Sequence, residues 1–218
     1  MYKILVADDH PLFRDAIAGI IAVSFAGSAV EQTEDIESTL ELVKHHDDLD
    51  LILLDLNMPG MSGLQGLLAL RNECPTIPVV IISAERDKQT ILQTLSYGAV
   101  GFIAKSSSKE CIVEALESVF AGNVYLPADI MRLPEGSKSN NEFVVSADKI
   151  ATLTRRELVV LKNLSQGEAN KQIAFNLHIS EATVKSHVSS ILKKLGASNR
   201  VKVVLGCADI DFSQHLKS

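Results

Sequence analysis

Along the first 121 residues, short aliphatic runs alternate with stretches whose apolar positions recur every three or four residues. The runs are KILVA (3–7), AVEQT (29–33), LDLILLD (49–55), PVVIIS (78–83) and GFIAK (101–105). The helical spacing predicts helices over 12–25, with Phe13, Ile17, Ile20 and Ile21 on one face, and over 36–45, 63–72, 87–97 and 108–121. Five strand-helix units in series predict a parallel sheet with helices on both faces and right-handed crossovers. The near-continuous Ile, Val and Leu of the runs is what a sheet covered on both sides requires.

Residues 122–148 change character. Two prolines, Gly136 and the polar SKSNN run read as a linker, in which VYLPADIMRL can form a short helix after Pro127. From Thr152 the pattern is helical throughout. Thr154 and Glu157 fit a capping box, Leu158, Leu161 and Leu164 form a stripe, and Gly167 is a stop. A short helix over 169–175 would bury Ile173 and Ala174. A third helix, capped by Ser180, runs to Leu195 and carries Val184, Val188, Ile191 and Leu195 on one stripe. Two helices joined by a few residues predict a helix-turn-helix. The organisation expected is a first domain over 1–121, a linker over 122–148, an all-α domain over 149–206 and a tail over 207–218.

Charge sharpens this division. The 218-residue chain has a net charge of −6, but residues 1–131 carry 8 Lys and Arg against 19 Asp and Glu, whereas 132–218 carry 13 against 8. A basic second half suits nucleic acid, and an acidic first half does not. No stretch approaches the length of a membrane span, and MYKILVADDH lacks the features of a signal peptide, so a cytoplasmic protein without a membrane partner is expected. Cys74, Cys111 and Cys207 are far apart and in no C-x-x-C pair, which supports neither a disulfide framework nor a zinc site.

In a doubly wound sheet the functional crevice lies at the carboxyl ends of the strands. The residues leaving those ends are Asp8 and Asp9, Asp55, Ser83 and Lys105. Singly, each has an ordinary explanation as a helix cap, a turn or a solvated charge. Together they do not, because carboxylates 4 Å apart repel by about 4 kcal/mol per pair at an effective dielectric near 20. A divalent cation with hard oxygen ligands removes that objection, and a carboxylate can also serve as a nucleophile toward phosphorus.

ADDH at the start, LLDLNMPGMSG around Asp55, IISA ending on Ser83 and GFIAKS around Lys105 resemble the receiver domain of bacterial two-component response regulators. The resemblance covers residues 1–121 and implies a five-stranded sheet of order 2-1-3-4-5. It implies that Asp55 is the phosphoacceptor, that Asp8, Asp9, Asp55 and the backbone carbonyl of Asn57 hold Mg²⁺, and that Ser83 and Lys105 bind the phosphoryl oxygens. Phe102 matches the aromatic switch position, which is often Tyr. Ser106 stands where many relatives have a proline after the lysine.

On the third helix of the second half, Ala182, Ser186, Ser189 and Lys193 lie away from the apolar stripe, flanked by Lys185 and by Thr183, His187 and Lys194. This small, polar and basic face suits a major groove, although a solvated face of a helical bundle has the same character. The segment LTRRELVVLKNLSQGEANKQIAFNLHISEATVKSHVSSILKKLGASNR is similar to the four-helix DNA-binding domain of the NarL/LuxR family. That likeness implies groove contacts by Lys185, Ser186 and Ser189, phosphate contacts by Lys171, Thr183, His187 and Lys194, and a dimer-forming helix with Val201, Val204 and Leu205. Lys193 on the same face joins the DNA-binding set. The implied partners are a sensor histidine kinase, promoter DNA, a second copy of the chain and RNA polymerase.

The expected function is phosphorylation-controlled transcription regulation, not enzymatic turnover. Two rivals remain open at this point. In one, the first domain is a phospho-independent dimerisation module. In the other, Asp55 is the nucleophile of a small phosphatase, which would need a general acid or base that no further motif supplies.

Overall fold

The computed structural model describes residues 1–46, 48–127, 146–197, 199–207 and 212. The expected helix after Pro127 and most of the 207–218 tail lie outside the described residues. The chain divides into two compact units, the first containing Met1–Val119 and the second the helices after residue 146.

The first unit is a parallel sheet of order β2-β1-β3-β4-β5, with β1 at Lys3–Ala7, β2 at Ala29–Thr33, β3 at Leu51–Asp55, β4 at Val79–Ser83 and β5 at Gly101–Ala104. Its helices are α1 (Pro11–Ser24), α2 (Ile36–His45), α3 (Gln65–Glu73), α4 (Lys88–Ser96) and α5 (Lys109–Phe120). The strand order implied by the resemblance is thus present, and the register pairs Val6 with Leu53, Leu53 with Val80 and Ile81 with Phe102.

Alternation along the strands divides the core. Leu5, Ala7, Ile52, Leu54, Val79, Ile81 and Phe102 form one cluster with Ile36 and Val43 of α2, Leu67 and Leu70 of α3 and Ile91 of α4. The intervening residues, Ile4, Val6, Leu51, Leu53, Val80 and Ile82, are equally buried and face the opposite layer. Helices α1 and α5, which contribute nothing to the first cluster, supply that layer with Ile17, Ile21, Ile112 and Leu116. Phe13 and Ile20, expected on the apolar face of α1, are only half-buried.

Residues assigned to the linker by composition begin as part of this sheet. Tyr125 forms a parallel bridge with Gly101, its N–H donating to Val100 O at 3.1 Å and its carbonyl accepting from Phe102 N at 3.0 Å.

The second unit contains α6 (Ala147–Ala151), α7 (Arg155–Ser165), α8 (Asn170–Leu177), α9 (Glu181–Leu195) and α10 (Arg200–Gly206). The capping box is complete, since Thr154 Oγ accepts from Glu157 N and the Glu157 carboxylate accepts from Thr154 N. Helix α8 ends at His178, whose φ of 54° is left-handed, and Ile179 N then donates to Ala174 O. Val184, Val188, Ile191 and Leu195 are each 0–1% exposed and pack with Leu158, Leu161, Leu164 and Ile173. Cys74 and Cys207 are buried, and burial pushes each thiol up to about 11, while Cys111 is exposed.

Candidate functional site

The carboxyl ends of β1, β3, β4 and β5 place the side chains that the sequence singled out at one edge of the sheet. Asp8 follows β1, Asp55 ends β3, Ser83 ends β4 and Lys105 follows β5. Asp8, Asp55 and Ser83 are nearly sealed, at 2%, 1% and 0% exposure, so solvent does little to screen them.

Lys105 organises the group. Its Nζ lies 2.8 Å from Asp55 Oδ2 and 2.7 Å from Asp8 Oδ2, bridging two buried carboxylates with one ammonium. Burial works to lower the Lys105 pKa, but hydrogen bonds and charge attraction from Asp55 and Asp8 outweigh it, so the net shift is upward. The Phe13 ring sits 5.0 Å from Nζ and adds a cation–π contact. No cis peptide bond occurs among the described residues, so the Lys105–Ser106 bond is trans.

The loop after β3 is shaped by local bonds. Asn57 N donates to Asp55 Oδ1 at 3.2 Å, and Met61 N donates to Met58 O at 3.0 Å. Gly60 closes the turn at φ 79°, where a Cβ would also meet Ile36 Cγ2 at 2.7 Å. Ser83 Oγ accepts from Glu85 N at 3.1 Å. Phe102 is fully buried against the core.

Two contributors escaped the sequence reading. His10 places Nδ1 2.6 Å from Asp9 Oδ1 and 3.1 Å from Asp8 Oδ1. Phe13 is the other. Both belong to the first turn of α1 or its cap, and only the docking of that helix at the sheet edge reveals them. The oxygens Asp8 Oδ2 and Asp9 Oδ1 are shielded from solvent, and the Lys105 ammonium at 2.7 Å and His10 Nδ1 at 2.6 Å are their respective polar neighbours. A donor set of carboxylate oxygens from Asp8, Asp9 and Asp55 that converge within 4.8 Å of one another fits a hard divalent cation.

On α9, Thr183, Ser186, Ser189 and Lys193 are exposed, while Lys185 and His187 are half-buried, as is Lys171 on α8. Lys185 Nζ lies 3.7 Å from Glu181 Oε1, one turn earlier on the same helix. Lys194, expected to face phosphate, instead directs its ammonium at Glu157 Oε2 (2.7 Å) and Oε1 (3.0 Å). On α10, Val201 and Val204 are half-buried and the side chain of Leu205 lies outside the described residues.

Comparison with known proteins agrees with this geometry. The family model "Response regulator receiver domain" matches residues 4–117, and "Bacterial regulatory proteins, luxR family" matches 151–206. The chain is 56% identical over 220 residues to the glycerol metabolism activator of Pseudomonas putida, covering 100% of both. It is 34% identical to the nitrate/nitrite response regulator NarP of Escherichia coli, covering 94% of this chain and 93% of the relative. Among solved structures, a LuxR family DNA-binding response regulator from Silicibacter pomeroyi superposes with a TM-score of 0.54 at 30% identity, over 59% of this chain and 99% of that one.

A receiver joined to a LuxR-type DNA-binding domain defines a response regulator that acts as a transcription factor. The chain belongs to the NarL/LuxR family of these regulators. No helix among the described residues is long and apolar enough to cross a membrane.

Proposed function

We propose that Asp55 is the phosphoacceptor and that its phosphorylation controls promoter binding through α9. The observation that carries this reading is the bridging of Asp55 and Asp8 by Lys105 Nζ at the carboxyl edge of the sheet. Asp55 Oδ attacks the phosphorus of a phosphohistidine on a sensor kinase. A P–O bond forms, the P–N bond breaks, and the departing imidazole takes up a proton. Lys105 loses one carboxylate partner to the new phosphoryl group and bonds its oxygens instead. The Ser83 hydroxyl, now accepting only from Glu85 N, is free to donate to another phosphoryl oxygen.

Asp8, Asp9, Asp55 and the backbone carbonyl of Asn57 would hold Mg²⁺. When bound, the ion supplies charge neutralisation at the phosphoryl oxygens. The switch runs through Ser83 and Phe102, whose ring has no hydroxyl and so signals by packing alone. Phosphorylation adds nearly two negative charges to a buried site and biases the receiver between two packings.

In the second unit, Lys185, Ser186 and Ser189 are the groove readers, Lys171, Thr183 and His187 contact phosphate, and Lys193 belongs to the same DNA-binding face. Helix α10 joins two copies. The 56% full-length identity to a glycerol metabolism activator supports activation of glycerol-metabolism promoters, where RNA polymerase would be the further partner.

The test is a small-molecule phosphodonor with the full chain. Wild type becomes labelled and binds its promoter more tightly, and Asp55→Asn does neither. Equal DNA affinity before and after labelling would show a receiver that works without phosphorylation.

A further inference from the structure

One group in the pocket has no part in the mechanism above. His10 follows the acidic pair, and although 64% of its side chain is exposed, Nδ1 is turned inward, 2.6 Å from Asp9 Oδ1, 3.1 Å from Asp8 Oδ1 and 3.4 Å from Lys105 Nζ. Its backbone N–H donates to Asp8 Oδ1 at 2.8 Å, which fixes the residue as the chain enters α1.

One donor atom from each of Asp8, Asp9, His10 and Asp55 lies within 4.8 Å of all the others. Around a divalent ion with bonds of about 2.1 Å, adjacent donors are about 3 Å apart and opposite donors about 4.2 Å. The four donor atoms therefore converge to near that span. Asp8, at 2% exposure, and Asp9 each turn into this cluster an oxygen shielded from water, Asp8 Oδ2 facing Lys105 Nζ at 2.7 Å and Asp9 Oδ1 facing only the His10 ring among the ion pairs of the described residues. Lys105 balances the charge of Asp8 and Asp55 but has no pairing with Asp9 among its ion pairs.

We propose that His10 Nδ1 is a nitrogen ligand of this pocket and makes it favour borderline divalent cations, such as Mn²⁺ and Co²⁺, over Mg²⁺. The proposal rests on the reading that the pocket holds a divalent cation. A shell of carboxylate and carbonyl oxygens suits Mg²⁺, and one imidazole nitrogen raises affinity along the series from Mn²⁺ to Co²⁺ while offering Mg²⁺ little.

The experiment uses the full chain with Mn²⁺, Co²⁺ and Mg²⁺ as probes. Pulsed electron paramagnetic resonance of the Mn²⁺-loaded protein is expected to show a ¹⁴N coupling that disappears in both His10→Ala and His10→Gln. Co²⁺ affinity is expected to fall about tenfold or more in these variants, with Mg²⁺ affinity changed by less than about twofold. Bound Mn²⁺ without ¹⁴N coupling, coupling that survives in both variants, or Co²⁺ and Mg²⁺ affinities that fall in step would overturn the role of His10 while leaving the cation pocket intact. Absence of divalent binding in the unmodified chain would overturn the pocket reading itself, and His10 with it.

Discussion

The Glu157 carboxylate on α7 accepts both oxygens' worth of bonding from Lys194 on α9, at 2.7 and 3.0 Å, and takes a further hydrogen bond from Ser190 Oγ at 2.6 Å. One residue thereby caps the start of α7 and ties it to the end of α9, the helix on which the proposed groove readers lie. Burial pushes this carboxyl upward, but the bonds from Lys194, Ser190 and the Thr154 amide, with the Lys194 charge, pull it down from 4.5 to about 2.

A pH dependence follows from that shift. The folded pKa lies below the unfolded one, so the stabilisation is complete above about 4.5 and is lost as pH falls toward about 2. Lys194 is a third exposed and partly solvated, which reduces the contribution to about 2 kcal/mol. Hydrogen-exchange mass spectrometry of the full chain should show the amides of α7 and α9 losing protection over this acidic range. In Glu157→Gln they should be less protected at pH 6 and should respond far less to acid. Identical acid profiles for the two proteins would refute the assignment.

Lys105 carries the opposite sign. Its pKa is raised by Asp55 and Asp8 against the effect of burial, so its contribution is present below about 10.5 and disappears as pH rises through the higher folded value. Lys105→Met leaves two sealed carboxylates facing each other and should lower receiver stability by about 3 kcal/mol at neutral pH. Urea titration measures this. Millimolar Mg²⁺ should restore more stability to the variant than to wild type, because it replaces the missing charge. A variant as stable as wild type without added cation would show that the ammonium is not balancing the pair.

Gly101 is where β5 accepts Tyr125 as an edge partner. A Cβ there would stand 3.2 Å from Tyr125 O and 3.3 Å from Val80 Cγ2. Gly101→Val should cost about 1–3 kcal/mol by overpacking and should raise amide exchange at Phe102, whose N–H donates to Tyr125 O. If Phe102 keeps its protection, the bridge does not depend on the missing side chain.

Much of the receiver was legible because a strand buried on both faces leaves a periodic trace, and because a carboxylate at its mouth is costly without a purpose. Asp8, Asp55, Ser83 and Lys105 could be found from their positions at strand ends. His10, Phe13 and the Glu157–Lys194 pair could not, since each depends on how one element docks on another. Angular placement put Lys194 on the polar flank of α9 correctly but could not reveal a carboxylate arriving from α7. Helix ends moved where glycine decides them: α3 begins at Gln65, not at 63, because Gly63 has a φ of 57° outside the helical region. Arg71 was read only as part of a helix, yet it is 5% exposed and its guanidinium donates to the carbonyls of Cys74, Pro75 and Ile77, with burial lowering its pKa. A cation that binds only backbone carbonyls leaves no charge pattern in the sequence.

The three lysines of the second unit should separate by the property each one changes. Lys185, half-buried on α9 and near Glu181, is a proposed base reader, so Lys185→Ala should weaken specific DNA by about 1–3 kcal/mol and random DNA much less. Lys171 on α8 is a proposed phosphate contact, so Lys171→Ala should weaken specific and random DNA alike and reduce the salt dependence of binding by about one ion. Lys194 is held by Glu157, and its loss leaves a carboxylate at 5% exposure without its cation. Lys194→Ala should therefore lower the stability of the second unit, with DNA affinity falling only as folded protein is lost. Fluorescence anisotropy against operator and scrambled duplexes at two salt concentrations, with thermal unfolding of each variant, measures all three. Equal losses on both duplexes for Lys185→Ala would remove it from the base readers, and a fully stable Lys194→Ala with weakened DNA binding would return Lys194 to the phosphate contacts.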